Sequence, residues 1–541
     1  MDILIPMAGR GERFLRAGWG TPKPLIPVDG VPMVERVVKL FPGSLRVVMV
    51  VADREHQDAS LNLEARLRAL HPGAEVAVID VHHDGPVHTL LAAAHSINDD
   101  APVLVAMCDL GLPWDFQAFR RFTEATDADG VIVGYRGFHP HLLRSTRYAW
   151  VRDDPEGRAL EVREKGAFSD APMQTGELCS NGIYWFRSGA VLKRFAAELA
   201  TDASLRIDGE HYVSLVYRKM LDAGCVVRTY DTPFFFQWGS PEDLQEWSYN
   251  SEAFQARAVP RPAQARRATG TLLMPAAGLG LRFSQQGYVD PKPLLPVCDR
   301  PMLVQATADL PRMARTVFVT RADAPGIDRL GAALQHAFPA STEIRLDGPT
   351  DGQARTCVIG VERAGVPLDE PLVIGACDNG TRYDCARHDA LLAEADMLVW
   401  AHRGYPAAAE RPEHYGWLDV DPAGVVRRVS VKQALGDPTS DPMVIGAFSF
   451  RVAGDLLRAA ERLFQRKALV RGEFYLDTLI EDALALGMDV RAFEIDGYEG
   501  WGTPNELASW RYWQRAFDAW PDHPYRVSTD ARYPPDAAGG C

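Results

Sequence analysis

The 541-residue chain carries one long motif twice. DILIPMAGRGERFLRAGWGTPKPLIPVDGVPMV begins at Asp2 and TLLMPAAGLGLRFSQQGYVDPKPLLPVCDRPML at Thr271, an offset of 271 − 2 = 269. Without gaps, 16 of these 33 positions are identical. Later landmarks hold the register. Asp109 in VAMCDLG matches Asp378 in IGACDNG (269), and DGPVHT from Asp84 matches DGQART from Asp351 (267). Lys165 matches Lys432 (267), and WGSPEDL from Trp238 matches WGTPNEL from Trp501 (263). A period this long means tandem duplication of one large domain, not a short stacked repeat. Length alone allows three or four ordinary domains; the duplication reduces that to two.

The expected boundaries are residues 1–250 for the first domain and 270–518 for the second. Between them SEAFQARAVPRPAQARRAT, 251–269, reads as a linker because it has two prolines and alternates small with basic residues. Residues 519–541 are Pro-, Asp- and Gly-rich and read as a flexible tail. Within each repeat, apolar runs such as ILIPM, LRVVMVV, EVAVID, PVLVAM and DGVIVGY alternate with amphipathic stretches. Those stretches are MVERVVKLF, the region 54–70, VHTLLAAAHSI and DFQAFRRFTEA. The alternation predicts an α/β fold, a mostly parallel or mixed sheet covered by helices on both faces. Ligands in such sheets bind beyond the carboxyl ends of the strands, where the Gly-rich loop and the CD motif both fall.

Charge removes one broad class. Lys+Arg total 58 against 72 Asp+Glu, a net −14, whereas non-specific nucleic-acid binding needs a basic footprint. The start MDILIPMAGRGERF meets Gly and Arg too early for a secretory signal, and no apolar run reaches the ~18 residues of a spanning helix. The eight cysteines form no CxxC pair, which fits reduced thiols. No nucleic acid, no membrane and a cytoplasmic location are the resulting expectations.

The residues suited to chemistry recur in both copies. In Ala8-Gly9-Arg10-Gly11-Glu12-Arg13 and Ala277-Gly278-Leu279-Gly280-Leu281-Arg282, glycines let backbone N–H groups approach phosphate oxygens, and an Arg adds charge-assisted bonds. Phe14 and Phe283 stand near the place of a third glycine, so the dinucleotide fingerprint is incomplete, and no GK[ST] follows. A GxG loop alone is equally a tight turn. Nine residues on, Pro22-Lys23-Pro24 and Pro291-Lys292-Pro293 hold a lysine between two φ-restricted prolines, suited to charge developing on a transferred phosphoryl or nucleotidyl group. No GxSxG or HExxH is present, and His82-His83 has no third ligand at metal spacing.

The pattern GxGxRF…PKPLxPV resembles the sugar nucleotidyltransferases, the NTP-transferase or nucleoside-diphosphate-sugar pyrophosphorylase enzymes, over both repeats. The resemblance implies two tandem Rossmann-like domains of GT-A type. The implied reaction joins an NTP to a sugar 1-phosphate, or a similar phosphorylated acceptor such as phosphocholine, and releases pyrophosphate. It implies that Ala8, Gly9, Gly11 and Gly85, with Ala277, Gly278, Gly280, Gly352 and Gln353, hold the nucleotide. Arg13, Lys23, Arg282 and Lys292 would stabilise the reacting phosphates. Glu164, Lys165, Asn181 and Lys432 would bind the sugar phosphate, and Asp109 and Asp378 would ligate catalytic Mg²⁺. Surface polysaccharide synthesis is one use for such a product, and an oligomer is possible but not required by a duplicated chain.

The copies differ. Gln353 has no counterpart in Gly85-Pro86-Val87, while Glu164 and Asn181 face Val431 and VIGAFSF in repeat two. Many relatives place a second Asp two residues before the GTP motif, where this chain has Gln237 and Gly500. These losses leave open a reading in which one or both copies bind a nucleotide sugar without turnover. A GT-A glycosyltransferase ranks below both, since neither repeat has DxD after the strand.

Overall fold

The computed structural model describes residues 1–43, 46–80, 84–259 and 265–533; His82 and His83 lie outside the described residues. The chain divides into two compact units. Unit 1 comprises Met1–Ser251 with Ala519–Asp522, and unit 2 comprises Glu252–Asp518 with His523 onward.

Among the described residues each unit holds a nine-stranded mixed sheet. In unit 1 the central strand Asp2–Pro6 lies parallel to Arg46–Ala52 on one side and Val103–Ala106 on the other. Ala74–Ile79 extends the parallel side. Across Val103–Ala106 the long strand Leu178–Phe186 runs antiparallel, then pairs with both Gly130–Tyr135 and the hairpin Trp150–Asp153/Ala159–Arg163. Unit 2 repeats the order around Thr271–Pro275, with Arg315–Arg321, Leu372–Ile374 and antiparallel Met443–Phe450. The α/β expectation of a mixed sheet with helices on both faces holds.

Two-sided burial explains the apolar runs. Ile3, Ile5, Val47 and Met49 enter one core of unit 1, while Leu4, Val48, Val50 and Val103 enter the other. Successive strand residues point to opposite faces, so a strand buried on both must be apolar throughout.

Three expectations need correction. The region 54–70 is two helices, Asp53–Gln57 and Leu63–Leu70, because Asp58 turns onto Ser60 and ends the first. The linker assigned to 251–269 begins as helix: Pro241–Arg257 runs through Ser251, where the units divide, and buries Trp247 and Phe254. Nor is the tail from 519 loose as far as Tyr533. Trp520, His523, Tyr525, Asp530 and Arg532 are buried, since aromatic and paired charged side chains outweigh the prolines around them. Among the described residues no helix is long and apolar enough to cross a membrane.

Candidate active sites

The Gly-rich loop follows the central strand in each unit. Gly11 and Gly280 both adopt φ +62°, just ahead of the short helices Glu12–Arg16 and Leu281–Gln285, which carry Arg13 and Arg282. A Cβ on Gly11 would lie 3.1 Å from the Lys23 Cβ, and on Gly280 3.3 Å from that of Lys292. Loop and lysine are therefore packed against each other as one piece. Each lysine opens a 3₁₀ turn, Lys23–Leu25 or Lys292–Leu294, that aims it inward.

The lysines meet the strand-end aspartates. Lys23 donates to Asp109 and Lys292 to Asp378 through Nζ and Oδ2 in both units. Burial works against each ammonium, but the neighbouring aspartate outweighs it and holds both lysines above their ordinary value. The adjoining thiols respond oppositely. Burial pushes Cys108 up to about 12 and Cys377 to about 11, leaving neither a thiolate at neutral pH.

A two-stranded ladder delivers the WG[ST]P loop to the same point. Leu110–Gly111 pairs with Phe236–Gln237 and Asn379–Arg382 with Gly497–Gly500; the backbone N–H of Trp238 or Trp501 then donates to the Asp109 or Asp378 carbonyl at 3.0 or 2.9 Å. Here the units part. In unit 2 the point a Gly502 Cβ would occupy lies 3.1 Å from Asp378 Oδ2 and 3.4 Å from Glu506 Oε2. Glu506 Oε1 accepts from Tyr415 at 2.6 Å and lies 2.9 Å from where a Gly500 side chain would begin. Unit 1 puts Asp243 at the position of Glu506 (506 − 243 = 263) and binds it to Arg144 at 2.6 Å. Its Gln237 amide approaches the corresponding cradle at Gly239, 2.9 Å away.

In unit 2 the predicted residues Ala277, Gly278, Gly280, Arg282, Lys292 and Asp378 line one cleft of about 570 Å³. Gly352, Gln353 and Lys432 line it too. Gly352, at φ +138°, could carry no side chain without striking the Phe474 backbone, and Gln353 opens the next helix. In unit 1 the equivalent Gly85, at φ +95°, lies under His211, and Pro86 replaces the glutamine. Ala8 is buried, whereas Gly9 faces open space.

Lys165 and Lys432 sit at φ +56° and +62°, a left-handed backbone unusual for lysine and kept in both units. Each lies over an aromatic ring, Tyr212 at 4.4 Å or Tyr475 at 5.4 Å. Lys165 also pairs with Asp208 at 2.9 Å, a position where unit 2 has Arg471 (471 − 208 = 263); Lys432 donates instead to the His414 carbonyl. Burial holds Glu164 up at about 7 despite a 2.5 Å bond from Ser214. Asn181 occupies a bulge of Leu178–Phe186, its Oδ1 accepting from the Ile183 N–H at 3.1 Å and its buried Nδ2 having no partner among the described residues. Tyr212, Tyr475, Asp477 and Glu506 escaped the sequence reading. The same 263-residue offset that aligns Trp238 with Trp501 would have paired each with its counterpart.

Residues 3–165 match the model of the MobA-like NTP transferase domain. The UTP–glucose-1-phosphate uridylyltransferase YngB of Bacillus subtilis (strain 168) is 26% identical over 196 residues, 32% of this chain. The match spans 65% of that relative's length. A nucleoside-diphosphate-sugar pyrophosphorylase structure from Vibrio cholerae RC9 is 18% identical with a TM-score of 0.38, covering 46% of this chain and 99% of that one. A UDP-glucose pyrophosphorylase complexed with UDP-glucose is 17% identical with a TM-score of 0.37, covering 46% and 96%. The match to the MobA-like NTP transferase domain therefore falls wholly within unit 1.

Proposed function

We propose that the protein transfers a nucleotidyl group from an NTP to a sugar 1-phosphate, or a similar phosphorylated acceptor, releasing pyrophosphate, and that unit 2 is the more complete of its two sites. The observation that carries this reading is the Gly-loop, lysine and strand-end aspartate assembled alike in both units. Loop N–H groups and Arg282 would receive the triphosphate. Lys292 would turn from Asp378 to the charge developing on the departing phosphates. Lys432 would fix the acceptor phosphate so that its oxygen attacks the α-phosphorus in line, with pyrophosphate leaving opposite. The acceptor oxygen is already a nucleophile, and the neighbouring cysteines are held as thiols.

Mg²⁺ fits unit 2 by chemistry: Asp378 and Glu506 flank the cradle beside Gly502, and such an ion favours one or two carboxylates plus phosphate oxygens. It would offset triphosphate charge there. Asp109 is the corresponding residue of unit 1, where Asp243 is already engaged by Arg144. That engagement, with Pro86 in place of glutamine, favours a second reading in which unit 1 binds a nucleotide sugar without turnover. The product would be an activated sugar for glycosyl transfer, surface polysaccharide assembly being one use, made in the cytoplasm.

The test follows pyrophosphate from the full chain with Mg²⁺, each of four NTPs and a panel of sugar 1-phosphates. Asp378→Asn is expected to cut turnover at unit 2 by ~100-fold or more. Activity that survives in part in Asp378→Asn and disappears when Asp109→Asn is added assigns catalysis to unit 1 as well. Loss of all activity in Asp378→Asn alone leaves unit 1 as the binding unit. No release from the folded wild-type protein across the panel refutes nucleotidyl transfer.

A further inference from the structure

Three positions around the second lysine change together between the repeats. Unit 1 has Ala149, Glu164 and Ser214; unit 2 has Gly416, Val431 and Asp477. The offsets are 416 − 149 = 267, 431 − 164 = 267 and 477 − 214 = 263, each shared with an identical residue one or two positions away: Trp150 with Trp417, Lys165 with Lys432, Tyr212 with Tyr475. They also meet in space. Gly416 pairs with Val431 across the hairpin, and a methyl on Gly416 would overlap the Asp477 carboxylate. In unit 1 the Ser214 hydroxyl donates to Glu164 across the same gap. The acid has moved from strand to helix: where the strand loses its glutamate the helix gains an aspartate, and the alanine methyl that would collide with it is gone.

Asp477 lines the unit 2 cleft beside Lys432. Among the described residues its carboxylate accepts only from its own backbone N–H, and burial raises it to about 6. A carboxylate with unfilled acceptor sites, at the edge of a cleft and next to an ammonium, suits a ligand that offers a hydroxyl to one and an anionic oxygen to the other. A purely structural ion pair would bring the two groups together. Instead Lys432 spends its hydrogen bond on the His414 carbonyl.

Building on the proposed transfer reaction, we propose that Asp477 is the acceptor-reading residue of unit 2. It takes the hydroxyl of a phosphomonoester whose phosphate rests on Lys432, from the helix side where Glu164 of unit 1 works from the strand side. The two units therefore select acceptors that differ in how a hydroxyl is placed relative to the phosphate.

The test uses the full chain carrying Asp109→Asn, with glucose, galactose, mannose and N-acetylglucosamine 1-phosphates as acceptors. Asp477→Asn is expected to raise acceptor KM about ten-fold or more, the range for a hydrogen bond to a charged group, with the NTP KM within about two-fold. Inhibition by inorganic phosphate, which offers no sugar hydroxyl, is expected to persist. Acceptor KM unchanged within two-fold overturns the proposal. The triple variant Gly416→Ala/Val431→Glu/Asp477→Ser restores the unit 1 arrangement and is expected to reorder acceptor preference; an unchanged order also overturns it. Should wild type release no pyrophosphate, the transfer reading fails on its own. Thermal shift by the same sugar phosphates then decides recognition: a shift lost in Asp477→Asn supports it, and no shift in wild type, or an equal one in the variant, refutes it.

Discussion

Gly11 and Gly280 show how one backbone angle ties a loop to a lysine side chain. At φ +62° an alanine costs about 1–2 kcal/mol, and its methyl would press on the lysine Cβ behind it. Gly11→Ala and Gly280→Ala are expected to lower stability by that amount in thermal unfolding and to displace Lys23 or Lys292. Gly278 has ordinary φ and nothing within 4 Å of a Cβ. Gly278→Ala should leave stability within ~0.5 kcal/mol yet weaken NTP binding by calorimetry, because its methyl would enter the cleft proposed to take the triphosphate. Glu164 acts through charge. Burial carries it from 4.5 to about 7, against Ser214 and Lys165 and with Glu210, so across that window folded unit 1 keeps a proton that the unfolded chain releases. Stability must fall as pH rises from about 4.5 to 7, by up to ~3 kcal/mol. Glu164→Gln should flatten that slope in denaturant titrations at pH 5 and pH 8; an unchanged slope refutes the assignment.

At the level of elements, what the sequence revealed and what it hid divide along local and non-local lines. The strand Asp2–Pro6 and its partners were legible because burial on both faces demands unbroken apolar runs. Gly11, Lys23 and Asp109 were legible because duplication repeats them in register. The helical start of the 251–269 segment was hidden by its prolines and basic residues, which lie beyond Arg257, while buried Trp247 and Phe254 hold the helix. Asp477 was hidden differently. Its proposed role depends on a hairpin and a helix brought together by the fold, and Val431 at the strand position looked like a loss. Only a position-by-position comparison of the two units shows that the carboxylate moved.

For the molecule as a whole, the segment after Asp518 is what the sequence most underrates. Arg532 reaches Glu499 at 2.7 Å and Asp530 at 2.7 Å, and Glu499 also takes Arg257 at 2.7 Å and the Trp510 indole N–H at 2.7 Å. Burial alone would raise the Glu499 pKa, but the two arginines hold it down at about 2, so this acid stays charged inside unit 2. Removing one arginine from such a cluster leaves uncompensated buried charge, a loss of about 3–5 kcal/mol. Glu499 lies in the strand Gly497–Gly500, whose partner Asn379–Arg382 follows Asp378, so that loss reaches the Asp378 carboxylate. Arg532→Ala is accordingly expected to raise amide exchange around Asn379–Arg382 and to lower pyrophosphate release at unit 2. Truncation after Asp518 also removes Trp520, which packs 5.1 Å from Trp247 and lies 5.0 Å from the Arg36 guanidinium within unit 1. The truncated chain should therefore lose protection in both units, whereas Arg532→Ala loses it in unit 2 alone. Equal protection in the truncated and intact chains would show that the last segment is dispensable, and the buried Arg532–Glu499 pair with it.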